Sequence, residues 1–167
     1  MSAEKSVFEI REKLDGAPHS KQSLRLWLRL LSCSTVVEKR IRNKLAREFD
    51  TTLPRFDVLA ALERKREGMT MGEMSETLMV SNGNVTGVVN RLLKDSLIVK
   101  EIEPQDRRTT RIRLSNKGEE DFTKMASAHE GWVDQMFNAL DNDEIEQLMG
   151  LLAKLRTSIE SNERPQG

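Results

Sequence analysis

The sequence predicts a mostly α-helical chain that carries a single β-hairpin. Apolar residues recur at spacings of three and four along most of its 167 residues. From Ile98 to Leu114 that period gives way to alternation. Glycine and proline number only 9 and 4, so the chain has few places at which to break a helix.

In order, residues 5 to 14 read as a short helix that Gly16, Ala17 and Pro18 interrupt. A long helix is expected from about Ser23 to Phe49. Leu24, Trp27, Leu28, Leu31 and Val36 fall on one side of it, and Leu26, Leu30, Val37 and Ile41 on others. A helix apolar nearly all round must be covered on more than one face, by its own domain and by a second subunit. Thr51 and Thr52 before Leu53 and Pro54 mark the next start, with a hydroxyl cap and a proline in the first turn. Phe56, Leu59, Ala60 and Leu62 face inward, and Gly68 ends this helix. Met71 to Met79 makes a short helix with Met71, Met74 and Leu78 inward. Ser81 caps another, in which Val85, Val88, Val89 and Leu92 form the apolar face. Ile98 to Glu103 and Thr109 to Leu114 are the two strands, joined by a loop from Pro104 to Arg108. Thr110, Ile112 and Leu114 share one face of the second strand, and Thr109, Arg111 and Arg113 the other. Ser115 caps a helix to about Leu140. After Asp141, Asn142 and Asp143 a last helix has the seam Ile145, Leu148, Leu152, Leu155 and Ile159, with a frayed end from Asn162.

The length suits one compact domain. No apolar run approaches the roughly 20 residues a membrane span needs, and the first residues lack a signal-peptide pattern, so a cytoplasmic location is expected. One cysteine, Cys33, excludes a disulfide framework and a four-cysteine zinc site. No metal and no cofactor are expected. The histidines, His19 and His129, have no Cys, Asp or Glu at catalytic or ligand spacing, and no glycine-rich phosphate loop is present, which argues against an enzyme.

Overall charge is zero, yet its distribution is uneven. Residues 1 to 80 hold 15 basic and 12 acidic side chains (net +3), 81 to 118 hold 8 and 4 (net +4), and 119 to 167 hold 4 and 11 (net −7). A basic middle attracts phosphate while the acidic end limits indiscriminate binding of polyanions. The helix after Ser81 turns a small, polar and cationic face outward, suited to a major groove. Asn84 and Asn90 fit base edges, Arg91 fits a guanine or a phosphate, and Ser81 and Asn82 sit where a helix N-terminus holds phosphate; Thr86 lies between them. Gly83 and Gly87 each cost about 1 kcal/mol against alanine in a helix, and close approach to DNA would offset this. In the hairpin, Arg107 and Arg108 beside Asp106, with Arg111 and Arg113 following, concentrate positive charge that a narrow minor groove would accept.

The run Asp106-Arg107-Arg108, followed by Arg111-Ile112-Arg113-Leu114-Ser115-Asn116-Lys117-Gly118, resembles the signature of the MarR family. There D-x-R in the wing precedes an L-T/S-x-x-G helix start. Leu53 to Leu59 and Ser81 to Leu92 are similar to that family's second helix and recognition helix, and the resemblance spans roughly residues 20 to 160. It implies a winged helix-turn-helix fold and a homodimer. Residues 1–50 would supply dimerisation and ligand-cleft helices, 51–118 the DNA-binding lobe, and 119–167 the C-terminal dimerisation helices, within one structural domain. It implies double-stranded operator DNA with an inverted repeat as partner. Arg108 would be the minor-groove arginine and Asp106 the acid that orients it. A small ligand in the cleft would relieve repression.

Leu24 to Leu31 and the Ser81-Asn82-Gly83-Asn84-Val85 start resemble most the repressors of aromatic-acid catabolism that answer hydroxycinnamoyl-CoA thioesters. From the residues alone, Trp27, Leu31 and Phe56 would wall an aromatic pocket. Arg25, Arg29, Arg40 and Arg42 would anchor carboxylate or phosphate. Trp27 reads equally well as core, and the arginines as a solvated face. Two alternatives stand beside this reading. A peroxide-sensing member would use Cys33, but the family's sensing sites use tyrosines and this chain has none. Cys33, amid Leu30, Leu31 and Val36, reads as a small buried hydrophobe. A winged helix used only for protein contact would show aromatic anchors where the wing has arginines.

Overall fold

A computed structural model of the chain describes residues 18–103 and 106–162. Their elements are α1 (Pro18–Phe49), α2 (Leu53–Arg64), α3 (Met71–Leu78), α4 (Asn82–Lys94), β1 (Ile98–Glu103), β2 (Asp106–Leu114), α5 (Asn116–Phe137) and α6 (Asn142–Asn162). They fall into two compact units, the first ending at His129 and the second beginning at Glu130. The helix expected over residues 5 to 14 and the end after Asn162 lie outside the described residues.

In the first unit α1 is already helical at Pro18, the first described residue, upstream of the expected start near Ser23. Ile41 and Leu45 are buried, whereas Leu26, Trp27, Leu31 and Val36 are exposed. Cys33 is exposed too, against the expectation of a buried hydrophobe. It shares the open stretch of α1 that the single chain does not cover.

Thr52 takes the N-cap position of α2 in extended conformation, but its hydroxyl makes no capping bond. Phe56, Val58, Leu59, Ala61 and Leu62 are buried and Ala60 is only half-buried. This helix packs against α3, α4 and β2, which is why no single inward stripe describes it. It ends at Arg64, before Gly68. Gly68 instead turns the chain at φ +89, where a side chain would be strained and a Cβ would lie 2.7 Å from Arg113 Cγ. Met69 and Ile112 then exchange backbone hydrogen bonds of 2.9 and 2.8 Å, a one-residue third strand beside the hairpin.

A full capping box begins α3. Glu73 N–H donates to Thr70 Oγ1 at 3.2 Å, and Thr70 N–H donates to Glu73 Oε2 at 2.8 Å. Met74 is buried, with Met71 and Leu78 half-buried. In α4 Val85, Val89 and Leu92 are buried, as the spacing predicts, and Val88 is half-buried. The hairpin pairs antiparallel from Ile98↔Leu114 to Ile102↔Thr110, and Ile98 and Ile112 point into the core. Ser115 Oγ accepts from Gly118 N–H at 2.9 Å and donates to Ser96 O at 2.7 Å. A Cβ at Gly118 would stand 1.9 Å from Leu97 O, so only glycine lets α5 approach this turn. The Phe56 ring lies 5.5 Å from Phe122 and 4.9 Å from His129.

In the second unit Trp132 is buried, and α5 stops at Phe137, short of Leu140. Asp141 and Glu144 form a reciprocal cap on α6, both bonds 2.9 Å. Of the expected seam, Ile145 and Leu155 are half-buried and Leu148, Leu152 and Ile159 are exposed, with Met149 and Leu151 open beside them. No described helix is long and apolar enough to cross a membrane.

Candidate nucleic-acid interface

Burial of Val85, Val89 and Leu92 fixes which way α4 faces. Asn82, Asn84, Thr86, Asn90 and Arg91 are all exposed. Ser81 sits at the cap position, and its carbonyl accepts from Asn84 and Val85 N–H at 3.1 and 3.2 Å. Its hydroxyl makes no cap bond, contrary to the sequence expectation, which leaves first-turn N–H groups open at the positive end of the helix. Asn82 Oδ1 accepts a hydrogen bond from the Ser75 hydroxyl, tying this end of α4 to α3. Thr86 Oγ1 donates to Asn82 O at 2.8 Å, so its donor serves its own helix. A Cβ at Gly83 or Gly87 would meet nothing within 4 Å. Packing among the described residues therefore does not require either glycine.

The wing departs from the expected loop. β2 begins at Asp106, so Asp106, Arg107 and Arg108 have strand backbone rather than loop; their side chains lie outside the description. The register is irregular between Ile102 and Glu103: Ile102 pairs with Thr110 and Glu103 with Asp106. Arg107 and Arg108 thus sit on the strand that carries the extra residues of the irregularity.

Arg111 and Arg113 do not repel one another unchecked. Arg111 Nε lies 2.7 Å from Glu103 Oε2, and its Nη1 lies 3.1 Å from Gly68 O and 3.4 Å from Glu73 Oε2. Arg113 Nε is 3.1 Å from Glu101 Oε2. Glu73 also accepts from Lys65 Nζ at 2.7 Å. The Lys65 hydrogen bond and the Thr70 backbone N–H hold its carboxyl at about 2. Lys65, Glu73, Arg111 and Glu103 therefore form a chain of charges from the end of α2, through the start of α3, to both wing strands. Sequence reasoning missed it by weighing the arginines alone, although Glu101 and Glu103 alternate in register with them. A second strut joins Arg55 to Asp95 at 2.6 Å, and Lys117 donates to Asp95 O at 2.9 Å.

The residues expected to hold a ligand are spread out. Phe56 is buried against Phe122 and His129, whereas Trp27 is 57% exposed and Leu31 is exposed beside it. At 3.6 residues per turn, Arg25, Arg29 and Arg40 lie within about 60° of one another and on roughly the opposite side of α1 from Trp27 and Leu31. Arg42 shares the side of Trp27 and is paired with Glu38. His129 is half-buried in the aromatic stack, and burial pushes its imidazole below the usual range. Among the described residues no group of His, Cys, Asp or Glu could hold a metal ion.

Comparison with known proteins accounts for this arrangement. A MarR-family model matches residues 49–109. The crystal structure of a MarR family transcriptional regulator from Silicibacter pomeroyi superposes with a TM-score of 0.71 at 30% identity, covering 89% of this chain and 100% of that one. The HTH-type transcriptional regulator YkoM of Bacillus subtilis is 32% identical over 120 residues, 72% of this chain and 76% of YkoM. The S. aureus MepR–DNA complex shares the fold, with a TM-score of 0.69 at 21% identity over 79% of this chain and 94% of that one. These relatives are regulators of transcription and not enzymes. With an outward polar α4 following α3, a two-stranded wing and a matching relative along nearly its whole described length, the chain belongs to the MarR family of DNA-binding transcriptional regulators.

Proposed function

We propose that this regulator is a ligand-released repressor that binds an inverted-repeat operator as a homodimer. Residues 51–118 are the reading lobe, and residues 1–50 and 119–167 supply the helices that pair two copies. The carrying observation is the outer face of α4, polar throughout and bearing two glycines that nothing inside the chain demands. Each copy lays α4 in a major groove, where Asn84, Asn90 and Arg91 meet base edges, while Arg107 and Arg108 reach the adjoining minor groove and Asp106 orients Arg108. Half-sites then lie about 10 base pairs apart. Arg111 and Arg113, held by carboxylates, set the pose of the wing and contribute charge from its base.

The effector in this reading is an aromatic acid or its CoA thioester, walled by the exposed Trp27 and Leu31. Arg25 and Arg29, on the far side of α1, reach such a ligand only from the other copy. The exposed cysteine does not displace this reading, since Cys33 has no tyrosine to act with.

Titration at fixed salt tests the interface. Arg108→Ala should weaken operator binding about tenfold and lower the salt slope by about 1, because a phosphate or groove contact is removed. Asn90→Ala should instead change which base is preferred. Equal loss from both variants on every sequence would refute the division of roles. A rise in melting temperature with cinnamoyl or benzoyl thioesters, together with a changed Trp27 signal in a Trp132→Phe background, tests the effector; release of DNA by such a thioester without any Trp27 response moves the pocket elsewhere.

A further inference from the structure

The turn between α3 and α4 holds two apolar residues that the interface described above leaves unused. Met79 is 81% exposed and Val80 is 43% exposed. Met79 has φ 54 and ψ 39, the left-handed region that favours glycine or asparagine. Its N–H donates to Glu76 O at 3.2 Å and the Val80 N–H donates to Ser75 O at 3.1 Å, which locks the turn. A long apolar side chain is thus held in a strained backbone and aimed at solvent, two costs that the fold does not recover. Such an outlier points to use outside the chain.

The surroundings name the occupant. Met79 and Val80 border an open cleft with Gly72, Ser75, Glu76 and Asn82. Val80 directly precedes Ser81 and Asn82, where the helix assigned to the major groove begins, and N-terminal residues of such a helix lie against base edges. The Glu76 carboxylate on the same cleft repels a phosphate. The major groove offers one apolar group, the 5-methyl of thymine. We infer that Met79 and Val80 form an apolar clasp for thymine methyl groups at the edge of each half-site, and so select thymine where the polar residues of α4 do not reach. This inference rests on the reading of α4 as the helix in the groove.

The test uses the full chain and an operator obtained by selection from a random duplex library. Each thymine is replaced in turn by deoxyuridine, which removes the methyl and keeps every hydrogen-bonding group. One or two positions per half-site should lose roughly three- to tenfold in affinity for the wild type, the value of a buried methyl. Met79→Gly and Val80→Ala should bind the thymine operator that much more weakly and show no further loss with uracil. Met79→Gly should also melt no lower than the wild type, because glycine relieves the backbone; a purely structural methionine would lower both stability and affinity on all sequences alike. Uracil losses of equal size in wild type and variants, or none at any position, overturn the clasp while leaving the groove assignment standing. Failure of the selection to yield any bound sequence overturns that assignment itself.

Discussion

In the lobe of residues 51–118 the side chains Leu59, Leu62, Met74, Val85, Leu92 and Ile112 are each less than 2% exposed, whereas α6 leaves Leu148, Met149, Leu151, Leu152 and Ile159 open to solvent. Both α4 in the lobe and α6 carry apolar residues at helical spacing in the sequence. The lobe can close because three helices and a hairpin bring several faces together; α6 has one seam and little within the described residues to set it against. One region is finished by its own chain, and the other leaves its apolar surface exposed, the surface that the proposed homodimer would cover.

The harshest way to break this contrast is to disturb the closed region. Gly118→Val would force a side chain into Leu97 O, and overpacking against backbone should cost about 3 kcal/mol or more. Urea unfolding would show it as a large fall in midpoint, and an unchanged midpoint would deny that the turn is tightly closed. The open region should respond differently. Leu148→Glu with Leu152→Glu should abolish self-association and weaken operator binding about a hundredfold, roughly 2.7 kcal/mol, by sedimentation and DNA titration. The unfolding midpoint of the lobe should barely move. If the double variant unfolds the lobe, the two regions are not separable in this way.

Two smaller effects sharpen the picture. Glu73 is held at about 2 in the folded chain and titrates near 4.3 when unfolded. Its stabilisation is present above the unfolded value and is lost as pH falls towards 2. Because its side chain is 36% exposed, solvent screening reduces that contribution to about 1 kcal/mol. Glu73→Gln should flatten the acid limb of the stability profile below pH 4.3; an unaltered limb would remove Glu73 from the charge chain. Smallest of all, Gly87→Ala should raise stability by about 0.5–1 kcal/mol, since its Cβ meets nothing within the chain, while operator affinity falls if α4 lies close to DNA. Affinity that stays level would place Gly87 away from the groove.

Much of this was legible in the sequence, for reasons that vary by element. The α4 face was readable because Val85, Val89 and Leu92 repeat at helical spacing beside an uninterrupted polar set. The hairpin was readable from alternation, but its strand began at Asp106 rather than Thr109, because pairing with Glu103 overrides the polar, loop-like composition. The inward set of α2 was misjudged at Ala60, Ala61 and Val58, since a helix covered on several sides has no stripe to find. The Met69–Ile112 pairing had no signal at all; one residue of strand has no period. Cys33 was read as buried from its apolar neighbours, yet of these Leu31 and Val36 are themselves exposed in the single chain and Leu30 only half-buried.

The reciprocal bonds between Met69 and Ile112 close a loop through nearly the whole lobe, from the turn after α2 to the last residues of β2. Neither amide can meet solvent by local fraying, so both should be among the slowest in the chain to take up deuterium, exchanging only when the lobe opens as a unit. A head that opened all at once would have no half-loosened form in which the base of the wing wanders while the helices stay put, and in the proposed reading its grip on a groove would be either complete or absent.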